Sequence, residues 1–354
     1  MFVLEVRPEI AAMPGYHSPQ VDVPIRLNTN ESPFPPPQAF VNEFVDALAS
    51  ISWNRYPNRT ADGLRAALSA HHEVPAESVF VANGSNEVLQ TLLLTFAGPG
   101  RRVVVFEPGY QMHVQISKVV GSDVIVIDRN DDFTLDRDVV RSKLTEVDPH
   151  VVFVSSPNNP TGQCDDEELL DVILESTSGL LVVDEAYAEF GTWSAIDRAL
   201  SSDRIVVSRT FSKTWSLAAL RLGYLIGSPT VVEHLWTAVL PYHLDASKQL
   251  AGEIALNYTD EMNDRVARII SERDRVQTAL SALGVRVSPS SANFILFSTG
   301  LDADVVWQRL LDHGVLVRNC SSWPRLAGWL RLTIGSEDEN NAFLRGLESA
   351  LETE

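Results

Sequence analysis

The sequence predicts an α/β fold in two parts: a large domain with a mostly parallel central sheet covered by helices, and a smaller α+β domain. Three observations carry this. From Val79 onward, short apolar β-branched runs alternate with segments of helical composition, the pattern of a buried sheet joined by helical crossovers. After Pro241 that rhythm gives way to a long helical tract, several strand-like runs and a closing helix. Before Gln38, the prolines Pro14, Pro19, Pro24, Pro33, Pro35, Pro36 and Pro37 prevent regular structure over most of the segment, which reads as an arm. The expected divisions are therefore 1–36 for the arm, 37–243 for the large domain and 244–354 for the small one.

Within the arm, Arg26 to Glu31 is a short extended piece. Helical patterning covers Gln38 to Ser50 and resumes after Thr60, where Thr60-Ala61-Asp62 is expected to cap the run that follows. Strands are expected at Val79 to Ala82, Arg102 to Phe106, Asp123 to Ile127, His150 to Val154, Leu180 to Asp184, Arg204 to Ser208 and Leu222 to Ile226. In the small domain, one helical tract from Ala246 to Leu283 precedes strands at Gly284 to Val287 and Asn293 to Phe297. A helix near Asp302 to His313, strands at Gly314 to Arg318 and Trp329 to Ile334, and a helix from Ser336 complete it.

With 354 residues, 45% hydrophobic and 21% charged, the chain is globular and long enough for two domains. Its 47 acidic against 28 basic residues give a net charge of −19, which repels nucleic acid and anionic membranes. Any anionic ligand therefore needs a local cluster of arginines. No apolar run approaches the roughly 20 residues of a membrane span, and Glu5 and Arg7 interrupt what would be a signal core. Two cysteines, Cys164 and Cys320, make neither a disulfide framework nor a metal cage, so a cytoplasmic protein without a metal is expected. His113, His243 and His313 lack metal-ligand spacing and read as incidental.

The stretch Ile205 to Gly227 sets Lys213 between two apolar runs, with Thr210, Ser212 and Arg221 nearby. A lone loop lysine is usually exposed. Burial instead lowers the pKa of an amine and makes it a nucleophile for a carbonyl, while two hydroxyls and a guanidinium suit a phosphate dianion beside it. Gly84-Ser85-Asn86 lies between a strand and a helix, where N–H groups and the helix dipole favour an anion; an ordinary cap would look the same. Tyr110, just past a strand, could stack on a planar ring or sit in the core. Asn159 belongs to the rigid turn Ser156 to Gly162, which holds an amide outward. Asp184 ends a strand, where it either caps a helix or, if buried, holds a proton on a heterocyclic nitrogen. Arg318 ends an apolar strand and Arg331 shares a strand face with Thr333. Edge-strand protection and anion binding both fit these arginines, and the net charge of −19 favours binding.

Taken together, Asn159, Asp184, Tyr187, Lys213 and Arg221, in that order at those strand ends, resemble the fold type I pyridoxal-phosphate aminotransferases over nearly the whole chain. More narrowly, LNTNESPFPPP, NRYP, SPNNPTGQ, VVDEAYAEF, TFSKTWSLAALR, LPYHLDA, GVLVRNCSSWPRL and WLRLTIGSEDEN look like the histidinol-phosphate aminotransferase family. The resemblance implies pyridoxal 5'-phosphate held as a Schiff base by Lys213, with Asp184 on the pyridine nitrogen. It also implies Asn159 and Tyr187 on the ring hydroxyl oxygen and Tyr110 stacked on the ring. Gly84, Ser85, Asn86, Thr210, Ser212 and Arg221 are implied to gather the cofactor phosphate, joined by Tyr56 across a homodimer. Arg318 and Arg331, with Tyr16 and Asn30 of the arm, are implied to bind histidinol phosphate and 2-oxoglutarate in a step of histidine biosynthesis.

Three departures stand out: Ala219 where the family usually has glycine, Asn319 where it has aspartate, and Gly15 where proline precedes the arm tyrosine. Asn319 and Gly15 lie near substrate positions, which leaves the amino donor open. A broad aromatic amino acid aminotransferase shares the scaffold, and a decarboxylase of a phosphorylated amino acid needs the same lysine and arginines. A non-catalytic binding protein could keep the fold, although intact Lys213, Asp184 and Arg221 weigh against it.

Overall fold

A computed structural model describes residues 4–13, 15 and 21–352. Its strands are β1 (Ile25–Leu27), β2 (Val79–Ala82), β3 (Arg102–Glu107), β4 (Asp123–Asp128), β5 (Val151–Ser155), β6 (Leu180–Asp184), β7 (Ile205–Thr210), β8 (Gly223–Gly227), β9 (Arg286–Val287), β10 (Phe294–Ser298), β11 (Val315–Asn319) and β12 (Leu330–Thr333). Seven form one sheet in the order β2-β8-β7-β6-β5-β3-β4. It is parallel except for β8, which runs against both its neighbours. The second sheet has the order β1-β11-β12-β10-β9, antiparallel apart from β1, which the arm adds parallel to β11.

Alternation along each strand decides which helices cover which face of the large sheet. Phe80, Val103, Val105, Phe153, Val182 and Val206 pack against Val88, Leu89 and Leu92 of the helix Gly84–Phe96 and Val232 and Leu235 of the helix Pro229–Ala238. Their chain neighbours Val104, Val152, Val154, Leu181, Val183 and Val207 turn to Val140 and Leu144 of the helix Arg137–Val147 and to Leu169 and Ile173 of the helix Glu168–Ser176. Because both faces are covered, these strands read as continuous apolar runs rather than alternating ones. Each such side chain contributes about 1.5–3 kcal/mol by leaving water. That packing fixes the strand ends, where the polar residues begin.

Two local expectations are corrected. The tract from Ala246 is broken by a 3-10 turn, Leu256–Tyr258, into the helices Ala246–Ala255 and Thr259–Ala282. The first helix packs on the helices Gln38–Leu48 and Asp62–His72 and the second on Glu337–Leu351, so one straight rod could not serve both. Thr60 does not cap the helix Asp62–His72: Ala61 holds the cap position in a left-handed conformation (φ 49°), and Thr60 Oγ1 donates to Asp62 Oδ1 at 2.7 Å. Strand β7 also continues beyond Ser208 to Thr210, which carries a hydroxyl to the sheet's carboxyl edge.

Strand β8 passes very close to the start of the helix Gly84–Phe96. A Cβ at Gly223 would lie 2.3 Å from the backbone nitrogen of Ser85, and one at Gly84 (φ +79°) would lie 2.7 Å from Arg221 Nη2. Gly223→Ala is therefore expected to cost about 1–3 kcal/mol by overpacking against backbone. Thermal unfolding checks this, and an unchanged Tm would show that the helix start yields freely.

Candidate active site

Lys213 follows β7 in a turn pinned from below. Phe211 and Trp215 are buried on either side of it, with ring centroids 5.5 Å apart. The Lys213 amine donates to the backbone carbonyls of Asn30 (3.0 Å) and Thr29 (3.3 Å) and lies 5.8 Å from the centre of the Tyr187 ring. Burial first, and then the positive fields of Arg331 and Arg221, push its pKa down to about 8, with Glu31 pulling the other way.

Asp184 ends β6 and is buried. Its Oδ1 accepts from the Ala186 N–H at 3.2 Å, and its Oδ2 lies 2.8 Å from His113 Nε2. His113 is not incidental, contrary to the sequence expectation. Its ring stacks on Phe153 at 4.4 Å, and it sits in the first turn of the helix Gln111–Val119, three residues after Tyr110. That spacing brings Tyr110 and His113 to one side of the helix, a signal that a search for metal spacing alone passes over.

The hydroxyls of Thr210 and Ser212 stand 3.0 Å apart, and Arg221 Nη1 donates to Ser212 Oγ at 3.2 Å. Arg221 itself adopts a left-handed backbone (φ 53°). Ser85 and Asn86, in the first turn of the helix Gly84–Phe96, line the same cleft, and Tyr110 Oη donates to Asn86 Oδ1 at 3.1 Å. Hydroxyls, a guanidinium and a helix N-terminus thus converge on one spot, a donor set suited to a dianion.

A second cationic group lines the same cleft as Lys213 and Arg221. Arg318 and Arg331 are directly paired across β11 and β12, and both are buried. Both strands lie inside the sheet, so edge protection does not explain the two charges. Arg331 Nη1 donates to Asn159 Oδ1 and Nη2 to the Asn28 carbonyl at 3.2 Å. Its guanidinium lies between the rings of Phe294 (5.2 Å) and Trp323 (5.7 Å), and that of Arg318 is 5.3 Å from the same Trp323 ring. Asn30 binds across the cleft: its Nδ2 donates to Tyr187 Oη at 2.9 Å, and its Oδ1 accepts from Thr333 Oγ1 at 3.1 Å.

One cleft is thus lined by Asn30, Ser85, Asn86, Tyr110, Asn159, Asp184, Tyr187, Thr210, Ser212, Lys213, Arg221, Arg318 and Arg331. It also takes in Trp323, which sequence reading missed because the loop Cys320 to Gly328 has no periodicity to place it. Tyr56 does not line it; that ring is 80% exposed and stacks on Tyr242 at 4.5 Å. Tyr16 falls outside the described residues. Asn319 turns away: its amide donates to Asp304 Oδ1, and its Oδ1 accepts from the Ser321 N–H at 2.9 Å. Ala219 and Gly15 are exposed. Among the described residues, no group of three or more His, Cys, Asp or Glu could hold a metal ion.

Fold and cleft together define a transferase of the aminotransferase type, and the comparisons agree. The chain belongs to the aminotransferase class I and II family, whose profile matches residues 22–347. Within it, the chain is 42% identical to a histidinol-phosphate aminotransferase of Mycobacterium avium (strain 104), across 99% of this chain and 90% of that protein. It is 44% identical to that of Nocardia farcinica (strain IFM 10152), across 97% and 90%. The crystal structure of histidinol-phosphate aminotransferase from Sinorhizobium meliloti in complex with pyridoxal-5'-phosphate shares the fold, with a TM-score of 0.88 at 22% identity, covering 98% of this chain and 97% of that one.

The lowered pKa gives a direct test. Neutral amine accumulates as pH rises, so the reaction of Lys213 with a small acylating reagent, followed by mass spectrometry, should be half-maximal near pH 8 instead of near 10.5. Between those two values the unfolded chain keeps a proton that the folded chain has released, so this group's contribution to stability rises with pH across the window. A midpoint near 10.5 would mean that the amine is solvated.

Proposed function

We propose that the chain is a pyridoxal-phosphate-dependent aminotransferase that moves an amino group between histidinol phosphate and 2-oxoglutarate, in histidine biosynthesis, as a cytoplasmic homodimer. One observation carries this reading: a single cleft holds an amine of lowered pKa between two cationic groups, Arg221 with its hydroxyls and Arg318 with Arg331. One group suits a cofactor phosphate. The other suits a phosphate ester and a dicarboxylate in turn, as the two half-reactions require. Relatives at 42% and 44% identity that carry the name histidinol-phosphate aminotransferase support the choice of substrate.

The residues present fit the cofactor. Glycine at 84 and 223 keeps the helix start, β8 and Arg221 in close approach, where any Cβ would strike them. Asp184 is buried with His113 on one oxygen and a backbone N–H on the other, so its carboxylate is oriented to hold a proton on a ring nitrogen. Tyr110 offers its ring, and Asn159 and Tyr187 offer polar atoms at the cleft wall. When bound, pyridoxal phosphate supplies a carbonyl that takes up the amino group and a ring that accepts the electrons of the substrate's Cα–H bond. Lys213 Nζ would be the point of attachment and, as a free amine, the base that carries the Cα proton, a role that a pKa near 8 favours. Asn30 draws the arm over that amine.

A partner subunit over the surface of Trp53, Tyr56, Leu240 and Tyr242, large apolar side chains that this chain leaves exposed, would bring Tyr56 to the phosphate site of the other copy. Both cysteines are free thiols, as a reducing compartment allows, and no helix among the described residues is long and apolar enough to cross a membrane.

Addition of histidinol phosphate or glutamate to the cofactor-loaded protein should convert the cofactor to its amine form, seen as loss of the carbonyl-form absorbance. A kcat/KM for phenylalanine above that for histidinol phosphate would make the chain an aromatic aminotransferase, and carbon dioxide release without 2-oxoglutarate would make it a decarboxylase. Lys213→Ala should lower kcat by about 10²–10⁴-fold while the cofactor still binds non-covalently. Arg331→Ala should raise KM for both substrates by about tenfold to a hundredfold, the loss of charged hydrogen bonds. If steady-state kinetics show neither KM moving, Arg331 is only a structural residue.

A further inference from the structure

We propose that Trp323 is a positioning residue that holds the two guanidiniums of the substrate anion site and so sets how tightly the cleft grips an anion. The inference rests on the assignment of Arg318 and Arg331 to substrate binding. These arginines face each other in register across β11 and β12, and like charges directly opposite on a sheet repel. Both are nevertheless buried, at 7% and 5% exposure. The indole lies against both guanidiniums, 5.3 Å from Arg318 and 5.7 Å from Arg331, so the negative face potential of one ring system serves two cations.

The indole is itself held by a short, anchored loop. The backbone N–H of Trp323 donates to the Cys320 carbonyl at 2.9 Å, and the backbone N–H of Cys320 donates to the Trp329 carbonyl at 3.1 Å. Beneath it, Cys320, Leu326 and Trp329 are buried with Phe133 and Leu296. Phe294 also lies against Arg331, at 5.2 Å, but of the two rings it is Trp323 that lines the cleft. Excluding water there strengthens the attraction of each guanidinium for an incoming anion, and stacking limits the rotamers each arginine must give up on binding. Lys213 keeps its burial and its bonds to the Thr29 and Asn30 carbonyls whatever stands at 323, and Arg331 keeps its charge and its bonds to Asn159 and Asn28, so its field on the amine persists. Trp323 should therefore act on binding and leave turnover alone.

The test uses the cofactor-loaded wild type, Trp323→Leu and Trp323→Phe. It measures kcat and KM for histidinol phosphate and 2-oxoglutarate, and calorimetric Kd values for inorganic phosphate and succinate as non-reacting anions. Trp323→Leu should raise both KM values and both Kd values about tenfold, equivalent to about 1.4 kcal/mol, with kcat and cofactor affinity close to wild type. Trp323→Phe, which keeps an aromatic face, should restore most of the loss. The proposal is overturned if Trp323→Leu leaves the KM and Kd values unchanged, if it lowers kcat alone, or if Trp323→Phe is as impaired as Trp323→Leu. Trp323→Met takes the place of Trp323→Leu should that variant not fold. A wild type that ignores histidinol phosphate would sink the functional reading, and the phosphate and succinate affinities would still decide the role of Trp323.

Discussion

The Lys213 amine, held by the backbone carbonyls of Thr29 and Asn30, is the interaction on which the rest of the structure turns. Carbonyls orient an ammonium without neutralising it, so burial first, and then the positive fields of Arg331 and Arg221, lower its proton affinity. The hold also explains why an arm rich in proline is ordered where it matters. Asn30 takes a left-handed backbone (φ 55°), and its side chain reaches Tyr187 after the large sheet and Thr333 in the small one. One residue thus fixes the arm to both sheets, and the amine lies beneath that junction.

A chain of net charge −19 that binds anions needs cations screened from its own surface field. The two groups achieve this differently. Arg221 sits at a turn and is joined by hydroxyls and a helix N-terminus, donors whose geometry suits an anion. Arg318 and Arg331 lie within strands, buried against aromatic rings, and offer chiefly their charge. A fixed cofactor suits the first arrangement. Two substrates of different shape that share only negative charge suit the second.

Much of this was legible in the sequence. The strands of the large sheet follow from their apolar runs, because burial on both faces leaves an unambiguous signature, and the residues after those runs had to gather at the carboxyl edge. Thr210, Lys213, Asp184 and Asn159 were found that way. His113 was not, because its meaning comes from Asp184 on another element, 71 residues on. Trp323 was hidden by a loop whose position depends on Cys320 and Trp329 beneath it. The break at Leu256–Tyr258 escaped because both halves are good helix; only their different packing partners separate them. Asn319 seemed to bear on the substrate, yet its side chain bonds to Asp304 on the neighbouring helix. An aspartate there would put two carboxylates together, so the departure is explained by that helix and not by the cleft.

The adjacent carboxylates Asp184 and Glu185 show how the same sheet serves site and scaffold at once. Asp184 ends β6 and Glu185 is the first residue beyond it, and their side chains take different partners. Asp184 turns to His113 and the cleft. Glu185 turns away and takes Arg209, through Nη2 at 2.7 Å and Nε at 3.1 Å, together with the N–H of Ala195. Arg209 also reaches Glu189 at 3.4 Å, and its field helps burial to keep His72 neutral, its pKa pushed down to about 3, where it hydrogen-bonds Tyr224. Arg209 lies on β7 and Tyr224 opposite it on β8. The network therefore braces the two strands one residue pair away from Thr210 and Gly223. Two carboxylates share the one guanidinium, and burial raises the pKa of Glu189, so Arg209 is occupied on that side and Asp184 is left to His113, the Ala186 N–H and the cleft.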